Sequence, residues 1–178
     1  MIATALTGGK VKLNNANFKN NQSLIAKLSS VGCQIDIKSD IINITSKGRL
    51  PSVDLIDTQV YPGFPTDMQA QIMALQAVSE GVSIICENVF ENRYKHAKEL
   101  IKMGANIILR DRVAVVKGVE CLTGAPVDAT DLRGGAGLVL AGLKANGYTT
   151  VNNVYHIDRG YEHFENILSE LGANIKRI

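Results

Sequence analysis

A threefold internal repeat restricts the fold of this sequence more than any other feature. Two glycines recur 23, 23 and 25 residues apart, as the pairs Gly9 and Gly32, Gly81 and Gly104, and Gly147 and Gly172. We interpret each glycine as the end of a helical run, because glycine adopts the left-handed conformation at no steric cost. The repeat predicts three related βα units around one core, which is an α/β fold.

The strands and the helix starts of these units follow from local patterns. Short apolar segments follow each second glycine, at residues 33–37, 105–109 and 173–177. Alternating apolar residues predict added hairpin strands at 41–45 and 113–119. In the second unit, Thr66 and Gln69 have the spacing of a capping box, and residues 130–133 open the matching helix of the third unit.

The first unit lacks the beginning of its first helix. Asp67 lies 14 residues before Gly81 and Asp131 lies 16 residues before Gly147, whereas the equivalent position of the first unit falls before Met1. We therefore expect residues 1–178 to be one domain whose N-terminal part is missing. A helix without its first turn leaves backbone N–H groups and part of the core uncovered.

The composition excludes several classes of partner. The 19 basic and 17 acidic residues nearly balance, Trp is absent and aromatic residues make up 5% of the chain, so neither nucleic acid nor a membrane is predicted as a partner. Cys33, Cys86 and Cys121 are far apart in the sequence and are predicted to be core thiols in a reducing compartment. We therefore expect a cytoplasmic domain. No CxxC or His-rich pattern is present, so we also expect no metal site.

Two aspartates occupy equivalent positions at the first turn of a helix. Asp67 and Asp131 can there stabilise the positive end of the helix dipole, which is the ordinary role of such a residue. Because the units are related by pseudo-symmetry, the two carboxylates can also converge at one end of the domain.

Arginines recur at another equivalent position, 12 residues after each first glycine, where the three units have Asn21, Arg93 and Arg159. A cation is unfavourable at the predicted start of a helix, so a shared anion explains these arginines better than the dipole does. A solvated surface position is the alternative. Arg133, close to Asp131, is a further candidate.

Two other patterns have simpler explanations. The segment 134–137 is rich in glycine but lacks a phosphate-loop signature, which favours close helix packing. His96 and His156 have no partner at metal-ligand spacing and are predicted to be surface or hydrogen-bonded histidines.

Five sequence blocks together resemble one known family. They lie at residues 61–71, 89–93, 122–125, 129–133 and 155–162. In order and spacing they are similar to the signature blocks of the UDP-N-acetylglucosamine enolpyruvyl transferases, and specifically of their C-terminal domain. The resemblance implies a two-domain enzyme in which each domain is an inside-out α/β barrel of three repeated βα units. The active site then lies in the cleft between the domains.

The resemblance also implies the reaction and its setting. Enolpyruvyl passes from phosphoenolpyruvate to the 3-hydroxyl of UDP-N-acetylglucosamine and phosphate is released, without a cofactor. This is the first committed step of peptidoglycan precursor synthesis, and so of cell-wall biogenesis, cell shape and cell division.

Site residues are carried over by position. Asp67 is expected to deprotonate the sugar hydroxyl, Asp131 to assist proton transfer at the enolpyruvyl group, and the Val89 backbone to contact the nucleotide sugar. The expected phosphoenolpyruvate ligand is Arg159, with Arg93 and Arg133 lining the same cleft.

The family's other domain, with its phosphoenolpyruvate-binding Lys and Arg residues and its lid cysteine, has no counterpart in this sequence. We therefore expect the chain alone to be inactive. Two alternatives stay open: the sister transferase acting on shikimate 3-phosphate, and a non-catalytic binding domain of the same fold.

Overall fold

The computed structural model describes residues 1–178 and contains seven helices and nine strands. The helices are α1 (Ile2–Thr7), α2 (Gln22–Ser30), α3 (Gln69–Gln76), α4 (Lys95–Lys102), α5 (Leu132–Gly142), α6 (Tyr155–Asp158) and α7 (Phe164–Glu170). The strands are β1 (Gly9–Leu13), β2 (Gln34–Lys38), β3 (Ile41–Ser46), β4 (Leu55–Asp57), β5 (Val82–Cys86), β6 (Asn106–Arg110), β7 (Val113–Lys117), β8 (Pro126–Asp128) and β9 (Thr150–Asn152). Short 3₁₀ turns lie at Phe18–Asn21 and Thr66–Met68.

The sheets of the first two units share three strands in the same order, and the second sheet has one more strand at its edge. The first sheet has the order β1-β3-β2 and the second has the order β4-β5-β7-β6, with an antiparallel hairpin, β2-β3 or β6-β7, in each. Equivalent turn residues, Ser39 and Asp111, have φ of 54° and 49°. Both predicted hairpins are thus confirmed. In the third unit the sheet is reduced to the parallel pair β8-β9, which corresponds to the parallel pair β4-β5.

Three equivalent helix ends confirm the repeat. Gly32, Gly104 and Gly172 have φ of 103°, 88° and 96° and follow α2, α4 and α7. In each case the glycine N–H donates to the carbonyl three residues back, at 2.9–3.1 Å, and the next N–H donates to the carbonyl five residues back, at 3.0 Å. This pair of bonds is the Schellman motif, whose left-handed residue explains the recurrence of glycine.

In the second and third units, the first glycine of the pair does not end a helix as predicted. Gly81 and Gly147 have positive φ, but α3 ends at Gln76 and α5 at Gly142, five residues earlier. Parallel bridges join Glu80 to Pro51 and Asn146 to Thr123 just before these glycines. The glycines therefore turn the chain from a bridge into a strand, and they do not end the helix.

The predicted strand at 173–177 is wrong. No strand is present there, because the segment is held by side chains and not by a β-ladder. Ala173 and Ile175 pack on a small apolar cluster with Leu168, and Arg177 pairs with Asp158 and Glu165 at 2.6 and 3.0 Å.

Helices fill the centre of the domain, and sheets form its outside. Every residue of α3 is buried, as are residues 134–141 of α5, and these two helices pack against each other. Strands β3 and β7 alternate buried with more accessible residues, as expected for sheets covered on one face. This is the predicted inside-out arrangement, although the three sheets do not join into one closed barrel.

The close approach of α3 and α5 explains the glycine-rich segment. A Cβ atom on Gly137 would lie 2.9 Å from the Ala70 carbonyl oxygen, and one on Gly135 would lie 2.7 Å from the Ile157 side chain. The predicted packing role is confirmed. None of the helices has both the length and the apolar character needed to cross a membrane.

Candidate active site

One carboxylate and two arginines meet where three helices begin. Asp67 lies in the 3₁₀ turn that leads into α3, Arg93 lies two residues before α4, and Arg133 lies in the first turn of α5. Arg133 binds Asp67 through two nitrogens, with Nε 2.8 Å from Oδ1 and Nη2 2.9 Å from Oδ2. Arg93 Nη2 lies 3.1 Å from the same Oδ1. The three residues lie together, and the anion that the two arginines share in the structure is Asp67 itself.

The cluster is open to solvent on the side of Asp67. The Asp67 side chain is 55% exposed, whereas that of Arg93 is 18% exposed. No backbone N–H donates to the Asp67 carboxylate, so this residue does not act as a helix cap. A bidentate guanidinium–carboxylate pair fixes both the position and the orientation of the oxygens. The cluster presents one carboxylate and two cations to any ligand that enters from solvent.

Asp131 does cap its helix. Its Oδ1 accepts hydrogen bonds from the N–H groups of Arg133, at 3.0 Å, and Gly134, at 2.8 Å. Burial would raise the pKa of Asp131, but these hydrogen bonds together with the neighbouring His96 and Arg93 hold the pKa below its ordinary value. Asp131 is therefore ionised at neutral pH and fixes the backbone that carries Arg133.

His96 is buried behind the cluster, so it is not a surface histidine, one of the two roles predicted for it. It is 1% exposed, its Nε2 has no hydrogen-bond partner, and its Cβ lies 3.1 Å from where a Cβ of Gly134 would be. Burial lowers the pKa of His96 to about 4, with Asp131 opposing and Arg93 adding to this effect. His96 is neutral at pH 7, and its side chain fills the space between α4 and α5.

His96 makes the stability of the protein depend on pH. Between an unfolded pKa of 6.5 and a folded pKa of about 4, the unfolded chain binds a proton that the folded chain does not. Stability is therefore lost as the pH falls through this window, by roughly 3 kcal/mol at about 1.4 kcal/mol per pH unit. We expect His96→Gln to remove this part of the pH dependence, as measured by urea unfolding between pH 7 and pH 4. His156→Gln, at a half-buried histidine, is the control. An equal dependence of the unfolding free energy on pH in both variants would contradict the assignment.

Glu87 organises the loop that carries Val89, and sequence reasoning missed it. It follows β5, is 1% exposed, and accepts hydrogen bonds from the N–H groups of Val89 and Phe90, both at 3.1 Å. The Val89 N–H is thus already bonded, which leaves its carbonyl as the backbone group free for a ligand. The missed signal was the strand alternation: Ser83 and Ile85 are buried, and Glu87 continues their face.

The predicted capping box at Thr66 is wrong, because Glu87 also binds the Thr66 side chain. The Thr66 hydroxyl donates to Glu87 Oε2 at 3.0 Å and accepts from no helical N–H, and the side chain of Gln69 is fully buried without a hydrogen-bond partner. A carboxylate is a strong acceptor, and here it orients the hydroxyl.

Arg159 lies outside the cluster, and its predicted position at the start of a helix is wrong. It follows α6, five residues before α7 begins, and its exposed side chain makes no salt bridge within the chain. Its loop is docked near the cluster: Gln71 donates to the Tyr161 hydroxyl at 3.0 Å, and a Cβ on Gly160 would lie 2.8 Å from the Leu132 side chain. The loop of Arg159 is thus held against α3 and α5.

The three cysteines are free thiols. Cys33 lies in the core as predicted, whereas Cys86 and Cys121 are half-buried at its edge. No group of three or more His, Cys, Asp or Glu side chains is arranged to hold a metal ion.

The sequence of this chain matches one protein family over most of its length. A family model described as EPSP synthase (3-phosphoshikimate 1-carboxyvinyltransferase) matches residues 1–168. The chain belongs to this family.

The names of individual relatives are narrower than the description of the family model. Proteins named UDP-N-acetylglucosamine 1-carboxyvinyltransferase from Vesicomyosocius okutanii subsp. Calyptogena okutanii and Xylella fastidiosa are each 48% identical over 178 residues. One from Geobacter metallireducens is 47% identical over the same length. These alignments cover the whole chain and 42% of each relative, so the chain spans about two-fifths of the length of the curated relatives it matches. The resemblance inferred from the sequence blocks is confirmed.

Solved structures confirm the predicted fold. The enolpyruvyl transferase NikO from Streptomyces tendae superposes with a TM-score of 0.87 at 27% identity, covering 98% of this chain and 42% of that one. EPSP synthase from Acinetobacter baumannii superposes with a TM-score of 0.76 at 18% identity, covering 99% of this chain and 43% of that one.

Proposed function

We propose that this chain forms one wall of the active-site cleft of a UDP-N-acetylglucosamine enolpyruvyl transferase. The observation that carries the proposal is the 48% identity over all 178 residues to proteins named for that activity. The Asp67–Arg93–Arg133 cluster supplies the groups that the reaction needs. Residues 1–178 act as a single domain in this proposal, and a partner domain of the same polypeptide supplies the opposite wall.

The reaction requires a base and an anion site close together. The 3-hydroxyl oxygen of the sugar bonds to C2 of phosphoenolpyruvate while C3 gains a proton; C3 then loses a proton as the bond to phosphate breaks. Asp67 takes the proton of the attacking hydroxyl, and Asp131 assists proton transfer at the enolpyruvyl carbon. The carbonyl of Val89 contacts the nucleotide sugar.

The arginines have two anions to bind in turn. In the structure, Arg133 and Arg93 both bind the Asp67 carboxylate, so its oxygens are occupied. The anionic phosphoenolpyruvate competes with Asp67 for these arginines, with exposed Arg159 adding a third cation. Binding of this substrate thus frees Asp67 for the sugar hydroxyl at the moment when a base is needed.

This function places the protein at the start of peptidoglycan precursor synthesis, in the cytoplasm, where both substrates are made. Cell-wall biogenesis, cell shape and cell division depend on that step.

The choice of acceptor is the decisive test. Full-length protein is assayed for phosphate release from phosphoenolpyruvate with UDP-N-acetylglucosamine or with shikimate 3-phosphate as acceptor. We expect turnover with the nucleotide sugar only. Turnover with shikimate 3-phosphate alone would support the sister activity, whose solved representative from Acinetobacter baumannii is 18% identical. Absence of turnover with both would support a non-catalytic binding domain.

A further inference from the structure

Glu87 is a buried carboxylate outside the proposed chemistry. It is 1% exposed and accepts four hydrogen bonds, all from uncharged groups. Thr58 Oγ1 donates to Oε1 at 3.0 Å, as do the N–H groups of Val89 and Phe90 at 3.1 Å, while Thr66 Oγ1 donates to Oε2 at 3.0 Å. Burying a carboxylate without a cation is unfavourable unless each oxygen is satisfied. The four donors meet that condition, so their arrangement is not incidental.

The four donors come from three separate segments of the chain. Thr58 follows β4, Thr66 lies beside Asp67, and Val89 and Phe90 begin the loop that leads to Arg93. Thr58 is itself fixed, because its N–H donates to the Cys86 carbonyl and its hydroxyl accepts from the Asn88 N–H, both at 2.9 Å. One side chain therefore joins the end of the sheet to both segments that carry the Asp67–Arg93 pair.

We propose that Glu87 is a positioning residue that holds Asp67 and the loop of residues 89–93 in register for enolpyruvyl transfer. The inference rests on the proposed function. Glu87 is enclosed by these segments and acts through them. Loss of this anchor lets Thr66 and the loop shift independently, which changes the placement of Asp67 relative to the bound substrates. A displacement of about 1 Å at a reacting group is enough to lower a rate by about 100-fold.

The chemistry of the anchor predicts which replacements succeed. In Glu87→Gln, the amide oxygen still accepts from Thr58, Val89 and Phe90, and the amide nitrogen donates to the Thr66 hydroxyl, which can rotate to accept. Glu87→Ala removes all four contacts. We expect Glu87→Ala to lower kcat by about 100-fold and Glu87→Gln to recover most of that loss. Glu80→Gln is the control, because that carboxylate lies outside the loop, is exposed and forms only an ion pair with Arg49 at 3.8 Å.

A double-mutant cycle separates positioning from general stability. If Glu87 acts through Asp67, Glu87→Ala has little further effect on kcat in an Asp67→Asn background, because the group it positions is already disabled. A purely structural role would lower the melting temperature and leave the kcat of folded molecules unchanged in either background.

A second pair of variants covers the case in which Glu87→Ala does not fold. Thr66→Val removes the donor to Oε2 at nearly constant volume, and Thr66→Ser keeps it. We expect Thr66→Val to lower kcat and Thr66→Ser to stay near the wild type. Folded Glu87→Ala or Thr66→Val protein with normal kcat would overturn the inference while leaving the proposed function intact. A wild-type protein without turnover would instead overturn the proposed function, and this inference with it.

Discussion

Replacing Asp67 with asparagine in the full-length protein is expected to lower kcat by about 10²–10⁴-fold, the usual contribution of a general base. Asparagine keeps the size of the side chain but cannot accept the hydroxyl proton. The replacement also removes the charge that holds Arg133 and Arg93. These arginines then bind phosphoenolpyruvate without competition, so we expect the KM for phosphoenolpyruvate not to rise. Loss of kcat without loss of anion affinity distinguishes a base from a substrate-binding residue.

The ordinary role of Asp67, stabilisation of a helix dipole, predicts a different outcome. It gives a loss of stability of about 1 kcal/mol or less, with normal turnover. Measuring kcat and melting temperature on the same variant separates the two. Asp36→Asn is the control. Asp36 lies on β2, outside the cluster, and forms only an exposed ion pair with Lys38 of the same strand. Near-wild-type kcat in Asp67→Asn would remove Asp67 from the mechanism.

The repeat was predictable because its signals are local. A glycine at the end of a helix satisfies a backbone requirement of that helix alone, so Gly32, Gly104 and Gly172 mark equivalent positions whatever surrounds them. The same holds for the Asp131 cap and for the hairpins. The pseudo-symmetry also predicted that the helix starts carrying Asp67 and Asp131 lie at one end of the domain, and Arg133, two residues after Asp131, contacts Asp67.

The errors concern side chains whose partners are distant in sequence. Thr66 has the local pattern of a capping residue, but Glu87, 21 residues later, takes its hydroxyl. His96 looks like a surface residue because nothing in its neighbourhood shows that α5 covers it. The spacing from Gly147 predicts that Arg159 lies at the start of a helix. The short helix α6 lies in between, so Arg159 comes before the start of α7. Tertiary contacts decide such positions, and a single sequence does not contain them.

The chain of residues 1–178 by itself is expected to release no detectable phosphate from phosphoenolpyruvate and UDP-N-acetylglucosamine. It supplies the Asp67 cluster and the loop of Arg159, whereas the resemblance assigns further phosphoenolpyruvate-binding Lys and Arg residues and the lid cysteine to the partner domain. Holding reactants in register contributes about 10⁵–10⁸ M in effective concentration. A cleft with one wall is open to water and holds neither substrate from both sides, so this contribution is lost almost entirely.

Phosphate release is measured against a no-enzyme control, with the full-length protein as the positive control and circular dichroism to establish that the chain is folded. The Asp67→Asn form of the same chain identifies contamination by a host enzyme, because contaminating activity is unchanged by this substitution. Turnover by the folded wild-type chain that disappears in the Asp67→Asn form would show that one wall is sufficient, and the proposal of a two-walled site would fail. We expect both forms to be equally inactive, because without the partner domain the base has no correctly placed substrate on which to act.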